Sequence, residues 1–349
     1  MHDFDYVQDA SCIGNATFVT LLSGERYASA ASCLPKQLAQ MNSSCPLLLV
    51  FNDKDSSIPL DKLRSAYSGR HSMLPLSTLT MRHPAHEQST RSSGRMLLST
   101  SREATTTHLK IWLWALRLPG RAVFLDLDIL LVRNVDELLR IQPENRANGA
   151  PGIGAVTCKS KYGDRFFNSG IFIFSPSLRT LGHLLELARF ASSPWNGHIP
   201  HRGDRWPKIC SPPEDPWAAK RLFPNASKPL AECRNHYGPG KQPSRMTKAC
   251  ETKLTDQSIF NAYFHTHTLL PKGFNLASYS PSEVNHHIVH FVGEPKPWSG
   301  TPFSGARARD PQRQHAIKEW QRRCEWVAPA AGTPQRLSKM NRSAAKLLQ

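Results

Sequence analysis

The chain has 349 residues, 40% of them hydrophobic and 20% charged, enough for one large domain or two ordinary ones. Its 44 lysines and arginines against 27 acids give a formal charge of +17. That excess points to an anionic partner: a phosphorylated ligand, an acidic glycan or an anionic membrane surface. Nucleic acid ranks lowest, because the basic residues are scattered without an aromatic ladder or a recognisable nucleic-acid module.

Residues 1–15 read as an irregular lead-in. Ala16–Leu22 reads as a strand carrying β-branched Thr17 and Val19, and Ser23-Gly24 turns the chain. A helical pattern follows over Glu25–Met41, with Tyr27, Ala31, Leu34 and Leu38 on one side and Pro35 as the expected site of a kink. Pro46–Phe51 reads as a buried strand and Leu60–Tyr67 as a short helix. This βαβα opening predicts an α/β fold, a layered sheet with parallel strands.

Residues 77–104 are expected to form a long polar loop, and Thr105–Leu118 a helix stopped by Pro119-Gly120. Ala122–Val132 reads as one buried strand and Asn134–Ile141 as a short helix. Gly154–Cys158 and Phe166–Phe174 are further strands, and Ser177–Ala191 is an amphipathic helix with Leu181, Leu184, Leu185 and Leu187 at helical spacing. From about 193 to 250 the chain is dense in Pro, Trp and Arg, and reads as an insertion stapled by disulfides. Thr255–His265 is a helix, Ile288–Val292 a strand and Arg313–Trp326 a last helix. The basic, Ala/Pro-rich tail from 328 onward is expected to be disordered. Residues 16–327 are therefore read as a single domain.

Eight cysteines, at 12, 33, 45, 158, 210, 233, 250 and 324, include no Cys-x-x-Cys pair, which argues against a zinc ribbon or redox motif. With sequons at Asn15, Asn42, Asn225 and Asn341 they favour an oxidising, glycosylating compartment, the secretory lumen and the Golgi in particular. Against this, Met1-His2-Asp3-Phe4-Asp5 does not begin a signal peptide or membrane anchor, so a cytoplasmic location is the alternative.

The acidic strand carries the chemistry. A carboxylate inside an apolar run must be paired or bind a metal. In an extended chain Asp126 and Asp128 share one face while Leu127 points the other way, so one cation could meet both. The same pattern also arises from two surface acids capping a strand.

Phe124-Leu125-Asp126-Leu127-Asp128-Ile129 through Val135-Asp136-Glu137-Leu138 resembles the metal-binding block of glycosyltransferase family 8, a family that includes glycogenin and galactinol synthase. Further blocks resemble that family in its order: Ala16–Leu21 with Tyr27, Phe167-Asn168-Ser169-Gly170, Asp256-Gln257-Ser258-Ile259-Phe260-Asn261, and His290-Phe291-Val292-Gly293-Glu294-Pro295-Lys296-Pro297-Trp298. The resemblance implies a glycosyltransferase-A-type, Rossmann-like sheet with helices on both faces. It also implies a retaining transfer of a hexosyl or hexuronosyl group from a UDP-sugar, with manganese or another divalent cation. The implied acceptor is a glycan, polyol, lipid or protein.

The resemblance further implies that Leu21, Ser23, Gly24 and Tyr27 form the uridine pocket, with Leu127 among the nucleotide-sugar contacts. It puts Lys110 near the diphosphate or sugar, Asn168 and Ser169 around the sugar, and Asp256 and Gln257 nearest the anomeric carbon, so that Asp256, Gln257 and Lys110 are the implied catalytic residues, with no nucleophile assigned. The chemistry agrees: a Lewis acid neutralises charge developing on a leaving diphosphate, and two carboxylates with one imidazole suit manganese. Asp126, Asp128 and His290 supply that set. Gly293 allows close backbone approach to phosphate, and Lys296 offers it a point charge. The chain departs from the family at Lys253-Leu254-Thr255, where glycines commonly precede the Asp-Gln pair. Two rival readings remain. One is a haloacid-dehalogenase-type phosphatase, although Leu130 stands where that family has Thr or Val. The other is a catalytically inactive transferase fold that binds glycan or membrane.

Overall fold

Strand β1 (Thr17–Leu22) explains why the sheet is covered on both faces. Phe18 and Leu22 join one apolar cluster and Val19 and Leu21 the other, as strand alternation requires. Strand β4 (Ala122–Leu125) divides the same way, Val123 and Leu125 against Ala122 and Phe124. The computed structural model describes residues 12–80, 109–145, 151–157, 167–192, 256–264, 267–276, 285–293, 296–299 and 310–325. The expectations for the insertion at 193–250, the tail from 328, and Cys158, Cys210, Cys233 and Cys250 lie outside them.

The remaining elements are α1 (Ala28–Gln40), β2 (Leu47–Phe51), α2 (Leu60–Ala66), β3 (Ser72–Pro75), α3 (Leu76–Thr80), β5 (Ile129–Leu131), β6 (Ile153–Thr157), β7 (Phe167–Phe174), α4 (Leu178–Ser192), α5 (Asp256–Tyr263), β8 (Thr268–Leu269), β9 (Ile288–His290) and α6 (Pro311–Arg323). The main sheet has the order β3-β2-β1-β4-β7-β6-β8. Its first four strands are parallel, β7 is antiparallel to β4 and β6, and β8 pairs parallel with β6. Helices α1, α2 and α6 lie against one face. On the other lie α3, α4, α5 and the 3-10 segment Leu109–Ala115, around Trp114, Phe172 and Phe260. The mixed α/β class with a largely parallel centre is as expected.

Four local expectations are corrected. Ala122–Val132 is not one strand: β4 ends at Leu125, and β5 leaves the main sheet to pair with β9, Ile129 opposite His290. Asp126-Leu127-Asp128 is the turn between two sheets, so the two carboxylates converge through that turn rather than by strand alternation. The Leu109–Ala115 part of the expected helix is a 3-10 helix, and a 3-10 turn, Asp136–Leu139, stands where Asn134–Ile141 was read as a helix. Helix α3 takes in residues 77–80, the start of the expected loop, and β3 precedes it unannounced. Helix α1 includes Pro35. Proline lacks the N–H that would meet the Ala31 carbonyl, and the buried Tyr67 hydroxyl donates to that oxygen instead at 3.0 Å.

Two disulfides, Cys12–Cys45 and Cys33–Cys324, tie the lead-in and the end of α6 to the first layer. Among the described residues no helix is long and apolar enough to cross a membrane.

Candidate active site

The site forms where β4 stops. The buried Thr20 hydroxyl on β1 donates to the Leu125 carbonyl at 2.7 Å, and Asp126 N–H donates to Gly170 O on β7 at 2.8 Å. These bonds fix the turn beyond the carboxyl end of a parallel strand, where open α/β sheets bind ligands. Leu127 turns its side chain into the core.

The β5–β9 pairing carries His290 to this turn. Its Nε2 lies 3.2 Å from Asp128 Oδ1 and 3.7 Å from Asp126 Oδ2. Asp126, Asp128 and His290 each offer one ligand atom, all within 4.8 Å of one another. The donor set fits a divalent cation: two hard oxygens and one borderline nitrogen, converging from three backbone positions.

Lysines surround the carboxylates. Lys110 Nζ lies 3.0 Å from Asp126 Oδ1, 3.2 Å from Asp256 Oδ2 and 3.3 Å from the Ser169 carbonyl, and 4.8 Å from the centre of the Phe124 ring. Burial opposes its charge, but Asp126 and Asp256 outweigh burial and raise the Lys110 pKa. At Asp126 burial dominates; with Asp128 alongside it outweighs Lys110, and the pKa is raised. Asp128 is opposite in sense. Burial opposes its ionisation, yet His290 and Lys296 hold it well below the usual carboxylate range. Lys296 Nζ bonds Asp128 Oδ2 and donates to Phe291 O at 2.7 Å. Three carboxylates against two ammonium groups leave this cluster one negative charge when His290 is neutral, and a divalent cation would reverse its sign.

Asn168, Ser169 and Gln257 also meet. Asn168 Nδ2 and the Ser169 N–H both donate to Gln257 Oε1, at 3.1 and 3.3 Å. Asp256 and Gln257 open α5, whose Asn261 side chain exchanges two 2.9 Å hydrogen bonds with the Phe167 backbone and so docks the helix on β7. The Tyr27 ring edge packs against Trp298 at 5.4 Å, two residues beyond Lys296, and Trp298 leans on Trp320 of α6. Leu21, Ser23 and Gly24 lie at and beyond the end of β1, beside the turn. Gly293 takes φ +76°, a conformation favouring glycine. Gly24 is extended, at φ −173°, and is not demanded by its backbone.

Two residues were missed by sequence reasoning. Asn275 Oδ1 meets His290 Nδ1 at 2.9 Å, and no motif surrounds it. Gly170 lies directly under the imidazole: a Cβ there would come within 2.2 Å of His290 Cε1. A glycine within a strand was the available signal for that close approach.

Similarity to known proteins agrees with the family 8 glycosyltransferase resemblance carried by the motifs. The chain is 26% identical to glycogenin-1 of Mus musculus over 171 residues, 49% of this chain and 44% of that protein. To human glycogenin-2 it is 26% identical over 237 residues, 62% of this chain and 34% of that one. It thus spans less than half the length of these relatives. No protein-family profile matches. Similar solved structures include the glycosyltransferase GlyE of Streptococcus pneumoniae TIGR4, with 13% identity, TM-score 0.48, and 89% of this chain and 63% of that one covered. Another is the galactosyltransferase LgtC in complex with donor and acceptor sugar analogues, with 13% identity, TM-score 0.44, and 90% and 98% covered.

Proposed function

We propose that the chain is a metal-dependent, retaining glycosyltransferase that moves a hexosyl or hexuronosyl group from a UDP-sugar to an acceptor. The observation that carries the reading is the convergence of Asp126, Asp128 and His290 at the end of β4. Asp126, Asp128 and His290 would hold the divalent cation, manganese by donor set, and when bound it supplies Lewis-acid stabilisation of a diphosphate leaving group. The residues of the chain do the rest. Lys296 and Lys110 bring positive charge to the place where the diphosphate would lie. Leu21, Ser23, Gly24 and Tyr27 form the edge where a uridine would sit, and the Leu127 backbone lines the path between. Asp256, Gln257, Asn168 and Ser169 surround the place for the donor sugar. Gly293 lets the backbone bend toward phosphate.

The acceptor is a glycan, polyol, lipid or protein, and retention follows the family resemblance. Secretory location is part of the proposal, supported by two disulfides and by the exposed sequon residues Asn15 and Asn42.

Isothermal calorimetry of UDP, with and without manganese, on the parent and on Asp128→Ala tests the reading. The expected outcome is binding that needs manganese and falls at least about 100-fold in the variant, since one ligand and one charge are lost. Equal binding in all four titrations would remove the reading.

A further inference from the structure

The proposed metal site leaves open how His290 comes to present one particular nitrogen. An imidazole exposes a lone pair on one ring atom only when its proton is on the other, and the partner of that other atom decides which. One imidazole and three amides in a row supply the answer. His290 Nδ1 meets Asn275 Oδ1 at 2.9 Å, and Asn275 Nδ2 donates to Asn168 Oδ1 at 2.9 Å. Asn168 Nδ2 donates to Gln257 Oε1 at 3.1 Å.

Such a row could run in either direction if side chains alone decided it, because the O and N ends of an amide have the same shape. Two backbone groups remove the choice. Gly170 N–H donates to Asn168 Oδ1 at 2.9 Å, and Ser169 N–H donates to Gln257 Oε1 at 3.3 Å. A main-chain N–H has no alternative role, so the atom it meets is an acceptor. Asn168 Oδ1 is therefore oxygen, Asn275 must give it an N–H, and the Asn275 oxygen is left facing His290.

We infer that Asn275 is a positioning residue that reads the Gly170 N–H through Asn168 and so keeps the proton of His290 on Nδ1, reserving Nε2 for the metal. The same polarity commits the Gln257 carbonyl oxygen to two donors. The inference rests on the metal-site reading only for its consequence, since the direction of the row is set in the metal-free protein.

The experiment has two arms. The first records nitrogen-15 long-range spectra of metal-free protein labelled at histidine, with His290 assigned by His290→Gln. A protonated Nδ1 at residue 290 is expected, and a bare Nδ1 with a protonated Nε2 overturns the inference. The second titrates manganese alone, followed by the electron paramagnetic resonance of the free ion, into the parent, Asn275→Leu and Asn275→Asp. Aspartate keeps an acceptor for His290 but has no N–H for Asn168, whereas leucine has neither. Weakening of about 10- to 100-fold is expected for leucine, and a change under about threefold for aspartate. Equal losses in both variants would assign Asn275 a space-filling role, and no loss in leucine would remove its role altogether. Either overturns the inference. If the parent itself takes up no manganese while Nδ1 is protonated, the metal reading fails and the polarity stands.

Discussion

Gly170 holds the most confined position in the site. The hydrogen atom in place of a methyl group is what lets the His290 ring lie against β7, where its Nε2 reaches both carboxylates. Adding a Cβ forces the imidazole away, because Asn275 and the β5 pairing hold it on its other sides. Gly170→Ala should therefore weaken manganese binding at least about tenfold, as loss of an oriented ligand does. It should cost about 1–3 kcal/mol of stability, the usual penalty for overpacking. Calorimetric titration and thermal unfolding of the same preparation check both. Wild-type affinity would show that the ring position does not matter. The residues flanking this glycine were legible in the sequence because short motifs carry them: Asp-x-Asp, Asn-Ser-Gly, Asp-Gln and the His-to-Trp run. Asn275 was not. It stands apart in sequence from every motif, and its meaning comes from a tertiary contact 15 residues away.

Among the elements, the first half of the sheet followed from local pattern, since β1, α1 and β2 alternate or repeat as their burial demands. Strand β3 escaped because it is four residues long and only Leu74 is buried. Its pairing is supplemented by a side chain: His71, just before β3, accepts the Leu47 N–H of β2 on Nδ1 at 3.2 Å. That bond requires a neutral ring at Nδ1. Burial, with Arg70 adding to it, lowers the His71 pKa to about 4. The unfolded chain therefore binds this proton first. The stability His71 contributes is complete above the ordinary histidine range near 6.5, and is lost as pH falls from there toward 4. The ring is only partly buried, so solvent screening keeps the loss below what a fully buried histidine would show. Denaturant midpoints measured between pH 7 and 4 should fall less steeply in His71→Gln than in the parent. Parallel curves would assign the acid sensitivity elsewhere. The turn between β4 and β5 was misread for a different reason. Nine apolar residues interrupted by two acids satisfy the strand pattern throughout, and nothing local records that the chain changes sheet at Asp126.

At the scale of the molecule, the ends of the described chain are bound to its first layer. Cys33 in α1 and Cys324 after α6 close a loop with a sequence separation of 291. The bridge holds α6 where Trp320 supports Trp298 and Tyr27, and where Arg323 donates to the Leu131 carbonyl of β5. Cross-linking residues so distant removes much of the entropy of the unfolded chain, so Cys324→Ser should lower stability by roughly 2–5 kcal/mol. Equilibrium denaturation of parent and variant under oxidising conditions measures it, and an unchanged midpoint would mean that α6 is held by packing alone.

The departure of β5 from the main sheet has a mechanical meaning. Asp126 is anchored to β7 through its N–H, whereas His290 belongs to the small β5–β9 pair. Between β4 and β5 the chain passes from one sheet to the other in a three-residue turn. An ion gripped by Asp126, Asp128 and His290 would act as a rivet through that seam. Whatever free energy the ion gains by binding the assembled seam opposes splaying of the sheets by the same amount.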